Sequence, residues 1–170
     1  VEAVKNVYLT GFMGTGKSTV GPALARKLRR PFTDLDTLIV RAAGLPVAEV
    51  FERRGEAAFR RLESSALSRA ARRGGAVVAL GGGTLLSASN RVVVARSGTL
   101  VRLTCSRREI ARRLRPQRAV RPLLAGGSLD VRLRGLVAAR RGAYGKPDLV
   151  ISTTRLAPAA AAAEIARRLP

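Results

Sequence analysis

The run Gly11-Phe-Met-Gly14-Thr-Gly16-Lys17-Ser18 fits the pattern G-x-x-x-x-G-K-[ST]. Glycines there let the backbone turn its N–H groups inward around phosphate oxygens. A helix starting at Lys17 would point the positive end of its dipole at the same oxygens. The lysine can reach β- and γ-phosphates, and the Ser18 hydroxyl can ligate Mg²⁺. Gly14, Thr15, Gly16, Lys17, Ser18 and Thr19 are thus the expected contacts of a nucleoside triphosphate. The pattern identifies the phosphates and leaves open what is done with them.

Residues downstream could supply that second half. Phe32-Thr-Asp34-Leu-Asp36 places two carboxylates at the end of a short strand. One acid can hold magnesium through water while the other accepts a proton from a substrate hydroxyl. Equally, both can be helix N-terminal acids favoured by the dipole. Their spacing of two turns them to one face if the strand continues that far. Gly81-Gly82-Gly83 either makes room for a ligand against the backbone or forms a flexible turn. Arg60-Arg61, Arg121-Pro122-Leu-Leu and Arg140-Arg141-Gly-Ala-Tyr144 are either anion-binding forks or solvated basic faces.

The elements that must position these residues follow from periodicity and punctuation. Val7–Thr10 reads as a buried strand, and Lys17–Leu28 as a helix with Val20, Leu24 and Leu28 at helical spacing. Pro31 breaks the chain before a second strand at Phe32–Leu35. Helices follow over Thr37–Ala43, Val47–Arg54 and Glu56–Arg73, separated by Gly44-Leu-Pro46 and Gly55. Ala76–Leu80 and Thr99–Thr104 are apolar strands, with a helix near Ser89–Ala95 between them. Ser106-Arg-Arg-Glu109 has capping-box spacing and opens a helix to about Leu114. Arg115–Ser128 lacks periodicity and is expected to be a mobile loop. Leu129–Ala143 is a helix, Leu149–Ser152 a fifth strand, and Pro158–Leu169 a closing helix with proline in its first turn. Strands alternating with helices imply an α/β protein, a parallel sheet covered on both faces, in one domain over residues 1–170.

Composition narrows the setting. The chain has 170 residues, 46% of them hydrophobic, enough for one buried core. No apolar run reaches the roughly 18 residues of a membrane span, and with the first strand so near residue 1 a signal peptide is not expected. Cys105 is the single cysteine, which fits a reducing cytoplasm; it reads as a small apolar core residue. Histidine is absent, so acid–base chemistry must rest on Asp, Glu, Lys, Tyr or a metal. The net charge of +21 attracts polyanions without choosing among them, and the arginine surplus also fits GC-rich coding bias. Aromatic content of 4% is thin for stacking nucleic-acid bases, so a nucleic-acid partner is not expected.

Six features in order resemble the shikimate kinase family over nearly the whole chain: the phosphate loop, Asp34-x-Asp36, Gly55-Glu-x-x-Phe59-Arg60, the triple glycine, Arg121-Pro-Leu-Leu, and Arg140-x-x-x-Tyr144. The resemblance implies a three-layer α/β/α fold with a five-stranded parallel sheet of order 2-3-1-4-5, that of the nucleoside monophosphate kinases. It implies ATP as phosphoryl donor, shikimate as acceptor, Mg²⁺ as cofactor, and a monomer in the cytoplasm. Arg60 and Arg140 would hold the substrate carboxylate, and Gly81, Gly82 and Gly83 would face the substrate. Asp36 would bind its hydroxyls and act as general base. Ser18 would ligate the metal directly and Asp34 through water. Arg121, in a lid over about 115–128, would close on the γ-phosphate, and Arg113 would cover the adenine. Two other readings share some features. A related kinase would act on a gluconate-like acid or a nucleoside monophosphate, and Asp36, Arg60 and Arg140 suit a carboxylate-bearing polyol better. A basic protein binding nucleic acid would lose affinity steeply with salt.

Overall fold

The computed structural model describes residues 4–116, 128–139, 142 and 144–170. Among these, five strands form one all-parallel sheet: β1 Asn6–Thr10, β2 Phe32–Asp34, β3 Val77–Ala79, β4 Gly98–Thr104 and β5 Leu149–Ser152, in the order β2-β3-β1-β4-β5. The helices are α1 Lys17–Leu28, α2 Leu35–Ala43, α3 Val47–Arg73, α4 Ala88–Ser97, α5 Arg107–Leu114, α6 Leu129–Ala139 and α7 Pro158–Arg168. The expected sheet order is the observed one.

All five residues of β1 are buried because helices cover both sheet faces. Side chains alternate across the sheet, so Val7 and Leu9 pack with Val77, Val101 and Leu103 against α1 and α7, through Leu24 and Ile165. Tyr8, Val78 and Leu100 point the other way, into Leu35, Ile39, Leu67 and Val94. Each such fully buried leucine or valine contributes about 1.5–3 kcal/mol against exposure. Asn6 is polar yet fully buried, and it is satisfied. Its Nδ2 donates to the Ala70 carbonyl and the Tyr8 hydroxyl, each at 3.0 Å, and its Oδ1 accepts from the Ala76 amide at 2.8 Å. A third cluster, Phe12, Ile110, Leu114, Leu133 and Tyr144, ties α5 and α6 to the phosphate loop.

Several boundaries depart from the sequence reading. β2 stops at Asp34 rather than Leu35, because the Asp34 carboxylate caps α2, accepting from the amides of Asp36 at 2.9 Å and Thr37 at 3.4 Å. Helix therefore begins at Leu35, and Asp36 lies in its first turn. The break expected at Gly55 is present, by contrast: within Val47–Arg73 two helical stretches are separated where Gly55 adopts φ 76°, ψ 168°. The box at Ser106 is half formed. Ser106 Oγ accepts from the Glu109 amide at 3.3 Å, but the Glu109 carboxylate turns to Arg112 and Arg113. The helix expected over Leu129–Ala143 is described over Leu129–Ala139, and Gly142 lies in a turn. No helix among the described residues is long and apolar enough to cross a membrane.

Candidate active site

Every strand runs parallel, so the loops leaving their C-terminal ends collect on one edge of the sheet, where β1 sits at the reversal of strand order. There they enclose a cleft of about 960 Å³. Its floor is the phosphate loop. Gly11, Gly14 and Gly16 all take positive φ, at 143°, 77° and 103°, which a residue with Cβ rarely adopts. Gly11 has no room for a side chain in any case, since a Cβ there would collide with the Leu103 carbonyl. Thr15 braces the turn, donating from Oγ1 to the Phe12 carbonyl at 2.7 Å. Lys17 Nζ donates to the carbonyls of Gly11 at 2.7 Å and Phe12 at 3.3 Å, so the ammonium lies along the cradle. Ser18 and Thr19 are exposed in the first turn of α1, whose dipole faces the same space.

The other end of the cleft is built by β2, α3 and β3. A Cβ placed on Gly81 would lie 2.9 Å from Glu63 Oε1, 3.1 Å from Thr84 Oγ1 and 3.3 Å from Asp36 Oδ1. One on Gly83 would lie 2.7 Å from both terminal nitrogens of Arg60. The absence of side chains at these glycines thus lets Asp36 and Arg60 approach the same backbone turn. Arg60 is anchored from below. Its Nη1 donates to Glu63 Oε2 at 2.8 Å, and the other oxygen of Glu63 accepts from Thr84 Oγ1 at 2.6 Å. Glu63 is 1% exposed, and a buried carboxylate is tolerated because both oxygens are paired. Burial pulls the Arg60 guanidinium down, but hydrogen bonds and charge from Glu63 and then Glu56 outweigh it and leave Arg60 above its ordinary value. Phe51 and Phe59 stack with centroids 4.3 Å apart and wall this end, with the Arg60 guanidinium 5.3 Å from the Phe59 ring.

At the nucleotide end, Arg113 is fixed by three partners. Its Nε donates to Glu109 at 2.8 Å, Nη1 to the Gly14 carbonyl at 3.2 Å, and Nη2 to the Thr153 carbonyl at 2.7 Å. Thr153 is itself buried and donates from Oγ1 to the Thr15 carbonyl at 2.7 Å. Hydrogen bonds from Arg112 and then Arg113 bring the Glu109 carboxyl down to about 2.

The shikimate kinase family model matches residues 13–170. The chain belongs to the shikimate kinase family. It is 48% identical over 149 residues to a shikimate kinase of Geobacter sulfurreducens, covering 88% of this chain and 82% of that one. A shikimate kinase of Geobacter metallireducens is 42% identical over 153 residues, covering 90% and 85%. Among solved structures, the shikimate kinase from Acinetobacter baumannii in complex with shikimate superposes with a TM-score of 0.86 at 34% identity, over 98% of this chain and 93% of that one.

Within this shikimate kinase cleft lie Gly14, Thr15, Gly16, Lys17, Ser18, Thr19, Asp34, Asp36, Arg60, Gly81, Gly82, Gly83 and Arg113. The structure therefore brings together these predicted residues from five separate stretches of chain. Arg121 and Arg140 lie outside the described residues. The condition for Asp34 and Asp36 to face alike, a strand continuing past Asp34, is not met; the alternative of helix N-terminal acids is what the structure has, with Asp34 as cap and Asp36 in the first turn. Glu63, Thr84 and Thr153 were missed by the sequence reading. A glutamate three residues after Arg60 on a helix was a usable signal, whereas Thr84 and Thr153 carried none.

Proposed function

We propose that this chain carries out the reaction of its family, ATP + shikimate → 3-phosphoshikimate + ADP, with the division of labour that follows. The observation that carries it is Asp36 and Arg60 meeting at the Gly81–Gly83 turn, in the same cleft as the Lys17 cradle. A carboxylate that can accept a proton and a guanidinium fork that can bind a carboxylate suit an acceptor bearing both hydroxyls and a carboxylate. Asp36 takes the proton from the attacking hydroxyl, whose oxygen forms the new bond to the γ-phosphorus as ADP leaves. Lys17 and the loop amides hold the phosphate charge that shifts toward the leaving oxygen. Arg60 orients the acceptor, Glu63 positions Arg60, and Arg113 covers the base. Arg121 on the γ-phosphate and Arg140 on the substrate carboxylate complete the reading, and both rest on the motif resemblance.

Mg²⁺ fits this donor set. Among the described residues there is no cluster of three or more acids, cysteines or histidines. Ser18 and Asp34 line the cleft beside the cradle, and an ion that keeps most of its waters and takes phosphate oxygens needs little more. When bound, it would neutralise phosphate charge. Ser18 would hold it directly and Asp34 through water. The rest of the reading is a single domain over residues 1–170 with a lid at about 115–128, acting as a cytoplasmic monomer without a nucleic-acid partner. A coupled ADP-release assay offering shikimate, gluconate, AMP and CMP separately tests the assignment. Turnover with shikimate alone is expected, and turnover with gluconate or a nucleotide in its place would overturn it.

A further inference from the structure

A second cavity, of about 350 Å³, lies behind the phosphate loop and opens between β4, α5 and α6. Three arginines from three elements line it: Arg102 from β4, Arg107 from α5 and Arg134 from α6. No acid stands among its described lining residues. Arg102 is the least expected of the three. It interrupts the apolar run of a strand bonded on both sides, facing Thr10 on β1 and Val150 on β5. A charge at such a position breaks the local pattern, and breaks of that kind concentrate at functional sites. Its guanidinium is held 4.7 Å from the centroid of the Tyr144 ring and is only partly exposed. Arg107 and Arg134 also engage in other polar interactions, so Arg102 is the anchor and they are its flanks. The aromatic rings of Phe12 and Tyr144 make part of the wall apolar.

We propose that this pocket is a second ligand site, for a small organic anion carrying a carboxylate or phosphate on a compact apolar ring. The volume sits at the small end of ligand pockets, and an apolar wall with a few convergent polar groups is their usual lining. Three guanidinium groups select for negative charge, and the aromatic wall selects for a ring behind it. Thr15 lines both this pocket and the main cleft, and Phe12 belongs to the same loop, so an occupant contacts the back of the nucleotide site.

The sole cysteine is the reporter, because Cys105 lines this pocket and does not line the main cleft. The rate of Cys105 alkylation by neutral iodoacetamide is measured with benzoate, benzamide or inorganic phosphate. Saturating shikimate is present throughout, to keep the main cleft's carboxylate position filled. Benzoate is expected to slow alkylation at least about fivefold, with a dissociation constant on the order of 1 mM, ordinary for so few atoms. Benzamide and phosphate should each change the rate by less than about twofold. Arg102→Gln should abolish the protection. Arg134→Gln, on an exposed helix position, should weaken benzoate binding by at least about fivefold in titration calorimetry while the protein stays folded. Equal protection by benzamide removes the charge requirement, and equal protection by phosphate removes the ring. Absence of benzoate protection in the folded protein overturns the site.

Discussion

Gly83→Ala tests the substrate end of the cleft by displacing one group. Gly83 sits at φ −114°, ψ −1°, backbone that an L residue tolerates, so alanine adds little strain. Its Cβ would lie 2.7 Å from both terminal nitrogens of Arg60, where ordinary contact begins at 3.4 Å. The guanidinium must therefore retreat by roughly 0.7 Å, the difference of those distances. For the fold this is cheap, because the tip of a long side chain can swing. The loss is at most a weakened bond to Glu63, about 1–2 kcal/mol once the partial exposure of Arg60 is allowed for. For the site it is expensive, because a misplacement on the order of 1 Å can cost about a hundredfold. The expected result is a shikimate KM raised by about 10–100-fold with ATP KM changed less than about threefold. Coupled ADP release gives both constants, and thermal melting reports the fold. In an Arg60→Ala background the same alanine should add little, because the group it displaces is gone. An unchanged shikimate KM in the folded variant, or an equal penalty with and without Arg60, refutes the displacement of Arg60 as the cause.

Lys17→Ala should reduce turnover by at least about a hundredfold while shifting stability by about 1 kcal/mol or less, the order of a lost hydrogen bond such as those to the Gly11 and Phe12 carbonyls; circular dichroism beside single-turnover kinetics checks both. Asp36→Asn should lower kcat by roughly 10²–10⁴ at any Mg²⁺ concentration, whereas the defect of Asp34→Asn should shrink as Mg²⁺ is raised, in a titration of kcat against the metal. Glu109→Gln loosens Arg113 and should raise ATP KM about threefold to tenfold with kcat little changed. The Glu109 carboxyl is depressed to about 2, so its hold on Arg113 is complete above the ordinary carboxylate range and fades only as pH falls through about 2. The wild-type ATP KM should accordingly show no step from this group between about pH 5 and 8, and a step there that Glu109→Gln abolishes would contradict the assignment.

Much of this fold was legible because its strands are short apolar runs bounded by glycine and proline. Val7–Thr10 and Leu149–Ser152 needed no tertiary knowledge, and the break at Gly55 announced itself. The order 2-3-1-4-5 was different, since nothing in hydropathy orders parallel strands, and it came from the motif resemblance. The end of β2 was missed because Asp34 plays two parts, last strand residue and cap, and capping decided where the helix began. The site residues were legible where spacing is local, as in the phosphate loop. Thr84 and Thr153 act through partners distant in sequence, 21 residues for the bond of Thr84 to Glu63 and 40 for that of Thr153 to Arg113. Single-sequence patterns carry no such information.

The charge of +21 misleads for a related reason, because composition counts cations and the fold decides what they do. A large share sits in last helical turns, as Arg26 and Lys27 of α1, Arg72 and Arg73 of α3, and Arg167 and Arg168 of α7 do. There they face the negative ends of helix dipoles. Others pair with glutamates one turn away, as Arg53 does with Glu49, where solvent screens the pairing. Such cations need no ligand to explain them. Arg60 and Arg102 stand apart, each half-buried and pressed against an aromatic ring at the wall of a cavity. A half-buried guanidinium gives up hydration that a surface one keeps, and an anion arriving in the cavity restores the lost interaction. Position relative to a cavity, rather than abundance, is what separates the arginines that bind from those that solvate.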